Sequence, residues 1–141
     1  MATSSEVLEQ YRREQVTMGS PEALTLMLYE AALKSVRKAK GCLGGKPIDV
    51  VTEAKMALDV CIELADNVNL EHPHGQRMRD LYLYCWRTLL AAPGRPDAAE
   101  QFDAVDTVLT NLIAGLRAYT TGAAKPAAVE SKAPVSIDFV G

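Results

Sequence analysis

An all-α, antiparallel up-and-down four-helix bundle is the fold this sequence predicts. Apolar residues recur at alternating steps of three and four over stretches of about 17 to 23 residues. Glycine and proline gather between those stretches, and only 6% of a 48% hydrophobic chain is aromatic, which favours aliphatic helix packing over a sheet sandwich. At 141 residues the chain suits a single domain with its own core.

The first long helix starts at Pro21 and runs to about Lys40. Ser20 is a good N-cap, proline fits the first helical position, and Glu22 complements the positive end of the helix dipole. Leu24, Leu28 and Ala31 form one stripe, and Leu26, Tyr29, Leu33 and Val36 form another, so this helix has more apolar surface than one core-facing side needs. Lys34, Arg37, Lys38 and Lys40 form a solvated face toward its negative end, and Gly41, Gly44, Gly45 and Pro47 mark the turn after it.

A second helix, from about Ile48 to Val68, carries Val51, Ala54, Leu58, Cys61, Ala65 and Val68 at the seam spacing of packed antiparallel helices. Residues 69–75 form a loop, and a third helix from about Gln76 to Ala92 sets Met78, Leu81, Tyr82, Cys85 and Leu89 along one side. Pro93-Gly94-Arg95-Pro96 stops it. Asp97 and Glu100 make a capping box for a fourth helix, with Phe102, Val105, Leu109, Leu112, Leu116 and Tyr119 in line. Three segments follow: an amino-terminal arm over 1–19 with a short helical piece around Val7 to Gln15, the bundle over 20–119, and a tail over 120–141. The tail reads as an Ala/Pro-rich flexible linker ending in Val135, Ile137, Phe139 and Val140, a short apolar segment suited to strand pairing or to docking in a groove.

Several function classes lack their chemistry. A net charge of −3 gives no basic field for nucleic acid or anionic lipid, and no apolar run approaches the roughly 20 residues that span a bilayer. The amino terminus does not read as a signal peptide, and three cysteines, Cys42, Cys61 and Cys85, without close pairing read as reduced thiols, so a cytoplasmic setting is expected. His72-Pro73-His74 lacks metal-ligand spacing. Gly41 to Pro47 resembles a phosphate loop only superficially, because no serine or threonine follows Lys46 and a helix precedes it instead of a strand. No cofactor, no metal site and no enzymatic activity are expected. What remains is surplus apolar surface: the second stripe of the first helix, Val50, Ala57, Ile62 and Leu64 on the second, and Leu83 and Trp86 on the third. It suits a groove for partner helices or for self-association.

Tyr11, Val16 and Thr17, then Ser20-Pro21-Glu22 with Leu24, Leu26-Met27-Leu28-Tyr29, and later Leu81-Tyr82 with Tyr84, Arg87 and Leu89, resemble the FliS family of flagellin export chaperones. The likeness covers about residues 8 to 119, and its motifs fall in the order and separation that the bundle requires. It departs from the family pattern at Ala23, which loses the capping box at Ser20, at Thr88 in place of a second arginine, and at Tyr119 where tryptophan is frequent.

The resemblance implies a cytosolic bundle that holds the disordered carboxyl-terminal region of flagellin in apolar grooves, delays filament polymerisation and aids delivery to the export gate protein FlhA. It implies partner-binding roles for Tyr11 and Val16 in the arm and for Leu24, Leu28, Tyr29, Leu81 and Tyr84 in the bundle motifs. The tail segment Val135 to Val140 would then act as a placeholder on an apolar groove of the chaperone itself or of a neighbour. The alternative is a self-associating helical structural or adaptor protein whose surplus stripe is a homodimer interface.

Overall fold

Pro21–Gly41 (α1), Pro47–Asp66 (α2), Gly75–Ala91 (α3) and Ala98–Thr120 (α4) are helical, and a single 3-10 turn, Ala92–Gly94, links α3 to α4. The computed structural model describes residues 5, 6, 9 and 21–120, with helical backbone at Ser5, Glu6 and Glu9 and no strand among the described residues. The expected features at Tyr11, Val16, Ser20 and the tail lie outside the described residues.

The helix ends follow local chemistry. Glu22 sits in the first turn of α1 and Lys38 and Lys40 in its last, both favourable to the dipole. Gly44, at φ 93°, supplies the left-handed turn residue between α1 and α2, and Pro47 opens α2. Asn67 closes α2: its amide Nδ2 donates to the Glu63 carbonyl at 2.7 Å and to Glu63 Oε2 at 2.8 Å. At the entry to α4 the Asp97 carboxylate accepts from Arg95 Nε at 2.8 Å and from Gln101 Nε2 at 3.0 Å. The Arg95 hydrogen bond, followed by that from Gln101, holds its carboxyl down at about 2.

Around the bundle, α1 packs on α2 and α4, α2 packs on α1 and α3, and α3 meets α4 over a shorter stretch. This leaves α1 and α3 on a diagonal. Small residues, Ala32 and Ala39 on α1 with Ala54 and Ala57 on α2, are fully buried or nearly so. Between them Ser35 donates to the Glu53 carbonyl at 2.5 Å and accepts from the Ala57 amide at 3.1 Å, inserting its hydroxyl between two groups one helical turn apart on α2. Leu24, Leu28, Tyr29 and Val36 of α1, Leu64 of α2, Tyr82 and Leu89 of α3, and Phe102, Val105 and Leu109 of α4 supply the core's bulk. Each fully buried large side chain contributes about 1.5–3 kcal/mol from removal of its apolar surface from water.

The structure corrects the phase of three stripes. On α2 the buried line is Val50, Ala54, Ala57, Cys61 and Leu64, whereas Val51 is 46% exposed and Leu58 only flanks the core. A helix packed on two neighbours buries an arc wider than one coiled-coil seam, so the three-four spacing selects one edge of that arc. Val50, Ala57 and Leu64 are therefore core residues and not surplus. On α4 Ile113 is buried and Leu112 flanks, and on α1 Ala32 is buried while Ala31 is half-buried. The two stripes of α1 merge, with Leu24, Leu28, Tyr29 and Val36 on one buried arc and Leu26 and Leu33 at its margins.

Candidate partner-binding surface

Specific contacts identify which side of each helix faces which neighbour. Ser35 marks the side of α2 that faces α1. At 100° per residue, Ile48, Val51, Leu58 and Ile62 then lie on the opposite flank of α2, toward α3. Cys61 and Cys85, both 1% exposed, mark the sides of α2 and α3 that face each other, and the neighbouring Cys85 thiol together with burial pushes the Cys61 thiol up. Leu81 lies on that flank of α3 with Tyr84 beside it, and Leu83, Trp86 and Leu90 lie on the flank toward α4.

The α1–α4 seam is of another kind. Arg37 pairs with Asp106 at 2.8 Å, Lys40 with Asp103 at 2.6 Å, and Glu30 with Arg117. The Arg37 hydrogen bond holds the Asp106 carboxyl below the usual carboxylate range, with Thr110 adding to it. Exposed pairs of this kind are screened by solvent and add little stability, and their main effect is to give this side a charged surface. The same pairs mark the side of α4 that faces α1, which leaves Val108, Leu112 and Tyr119 on the flank toward α3.

Exposed and half-buried apolar side chains thus flank α3 on both sides. Among the described residues the large hydrophobic side chains left exposed are Ile48, Val51, Leu70, Tyr84 and Leu90, all on α2, on α3 or on the connection between them. Leu58, Leu83, Trp86, Leu112 and Tyr119 extend the same surface as half-buried neighbours.

Of the residues singled out from the motifs, Leu81 is half-buried and Tyr84 is 41% exposed, and both lie on the flank of α3 toward α2. Leu24, Leu28 and Tyr29 are 2%, 5% and 3% exposed, and the structure brings them together in the core, where a partner reaches them only if the bundle opens. Tyr11 and Val16 lie outside the described residues. Ile48, Leu70 and Leu90 are surface residues that the sequence reading does not single out, and Val51 is one that it assigns to the packed seam. Adjacent helical residues diverge by 100°, so Val50-Val51 and Leu89-Leu90 each straddle the edge of the buried arc, but Leu28-Tyr29 and Val60-Cys61 diverge equally and stay buried, so the pairs alone carry no usable signal.

Among the described residues no group of three or more His, Cys, Asp or Glu side chains could hold a metal ion, and no helix is long and apolar enough to cross a membrane. His72 and His74 lie 5.8 Å apart between ring centroids, tilted by 38°, within the α2–α3 connection.

Residues 4–120 match the family model described as flagellar protein FliS, a span that takes in all four helices. The chain belongs to the FliS family. No curated protein and no solved structure matches it. Membership carries the role of a flagellar export chaperone, and FliS is a family of chaperones in which no catalytic role is known. For a FliS chain, large apolar side chains exposed along α2, α3 and their connection suit contact with another polypeptide.

Proposed function

We propose that this FliS chain works in the cytoplasm, where it binds the carboxyl-terminal region of flagellin along the apolar flanks of α3 and hands the complex to the export gate protein FlhA. The observation that carries the reading is the confinement of Ile48, Val51, Leu70, Tyr84 and Leu90 to α2, α3 and their connection. A flagellin end that becomes helical along these flanks hides its own polymerisation surface, while the remainder stays unfolded enough to be threaded. Leu81 and Tyr84 are the motif residues placed to touch it, and Tyr11 and Val16 belong to the arm that contributes to export-gate docking.

Calorimetry with the cognate flagellin tests this. Full-length flagellin is expected to bind one to one, and flagellin lacking its carboxyl-terminal region is expected not to bind. Equal binding of both proteins, or of neither, overturns the proposal. Sedimentation over a concentration series separates it from self-association, because a tight dimer that persists in the presence of flagellin would mean that the apolar surface serves a second copy.

A further inference from the structure

We infer that the tail segment Val135–Val140 seats in the groove between α1 and α4, on the side of the bundle away from the α2–α3 face. The groove encloses about 640 Å³, within the range of pockets that hold small ligands or a few side chains. Leu33 and Ile113 give it an apolar floor, and Lys34, Arg37, Lys38 and Arg117 line it with four cations against a single carboxylate, that of Glu30. Arg37 and Arg117 are paired with Asp106 and Glu30, whereas Lys34 and Lys38 form no ion pair among the described residues. The site therefore fits a short apolar segment that carries a carboxylate.

The chain supplies such a segment. Val135, Ile137 and Phe139 alternate with Ser136 and Asp138, so the one carboxylate of this stretch lies between its two largest apolar residues. Ile137 and Phe139 suit Leu33 and Ile113, and the long stems of Lys34 and Lys38 let their ammonium groups reach Asp138. Reach favours the match as well. The groove is lined by Ile113 and Arg117, and α4 ends at Thr120, so the site lies roughly 5–10 Å along the helix from the point where the tail departs. The 14 residues 121–134 span on the order of 20 Å as a random coil and roughly 46 Å when extended. A tether of that length gives an effective concentration in the millimolar range, so an intrinsic Kd of about 0.1 mM leaves the docked form about tenfold over the free form.

The test compares amide NMR spectra of the full chain with those of the full-length double variant Ile137→Asp, Phe139→Asp, whose changes lie outside the bundle. Resonances of Leu33, Lys34, Thr110 and Ile113 are expected to shift, and the full-length variant Lys34→Glu, Lys38→Glu is expected to lose most of the docked population. Adding a synthetic peptide of residues 134–141 to the Ile137→Asp, Phe139→Asp variant should restore the native shifts with a Kd of about 0.1 mM. Unchanged resonances along α1 and α4, shifts that fall instead on Val51 or Leu90, or a dependence on protein concentration that marks docking onto a second copy would each overturn the inference.

Discussion

The hydroxyls of Tyr29 and Tyr82 meet at 2.7 Å in the middle of the core, tying α1 to α3 across the diagonal of the bundle. Their rings lie 6.3 Å apart and are tilted by 46°, so the two side chains also pack on each other. Among the described residues no buried side-chain nitrogen or oxygen lacks a partner, and this pair is part of the reason.

Removing one hydroxyl breaks that balance. Tyr82→Phe leaves the Tyr29 hydroxyl buried without its acceptor or donor, at an expected cost of about 1–3 kcal/mol. The double variant Tyr29→Phe, Tyr82→Phe is expected to cost less than the sum of the two single changes, because an apolar pair leaves no orphan at this contact. Urea denaturation of the four proteins measures the coupling, and strict additivity would show that the hydroxyls do not act as a pair.

The same burial predicts a loss of stability in alkali. Desolvation raises both phenols well above the ordinary tyrosine value, so near pH 10 the unfolded chain ionises while the folded chain does not. Their contribution is fully present below about pH 10 and is lost as pH rises from there toward the folded-state values, by at most about 2.7 kcal/mol per pH unit for the two groups. Thermal melts between pH 8 and 11 should fall steeply for the native chain and less steeply for Tyr29→Phe, Tyr82→Phe. Parallel curves would remove the two tyrosines as the cause.

Two glycines should respond in opposite ways to alanine. A Cβ on Gly75, at the buried start of α3, would stand 2.0 Å from the Asn69 carbonyl oxygen and 3.1 Å from the Leu70 Cα, and backbone cannot move aside as a flexible side chain can. Gly75→Ala is expected to cost about 1–3 kcal/mol. A Cβ on Gly115, exposed within α4, meets nothing within 4 Å, and Gly115→Ala should stabilise by about 0.5–1 kcal/mol because alanine restricts the unfolded chain and favours the helix. Differential scanning calorimetry reads both signs.

Helix positions are legible in this sequence because their signals are local. Pro21, Pro47 and the Pro93–Pro96 turn lie within a residue or two of where the helices begin or end. Which side of each helix is buried is less legible, because it depends on how many neighbours the helix has. Val51 and Leu58 fit a three-four seam as well as Val50 and Ala57 do, and only the position of α3 relative to α1 decides between them. The motif residues Leu24, Leu28 and Tyr29 show the same limit, since a family signature records packing and binding alike. The contacts that settle them, Tyr29 with Tyr82 and Ser35 with Ala57, join residues 53 and 22 positions apart, beyond any local pattern.

The division of the motif residues into core and surface leads to a prediction about the client face. Val51→Asp and Leu90→Asp place a carboxylate where the side chain is already 46% and 57% exposed, so each should change stability by no more than about 0.5 kcal/mol. If flagellin lies along the flanks of α3, each change also buries an unpaired charge in the complex and should weaken binding at least about tenfold, or roughly 1.4 kcal/mol. Leu28→Asp is the contrasting case: it puts the charge into the core and should unfold the bundle, losing binding and helical circular dichroism together. Tyr84→Ala should behave as Val51→Asp does, because its ring is exposed and its removal leaves no core cavity. Native affinity in all three surface variants, measured at unchanged Tm, would move the client to another face of the bundle.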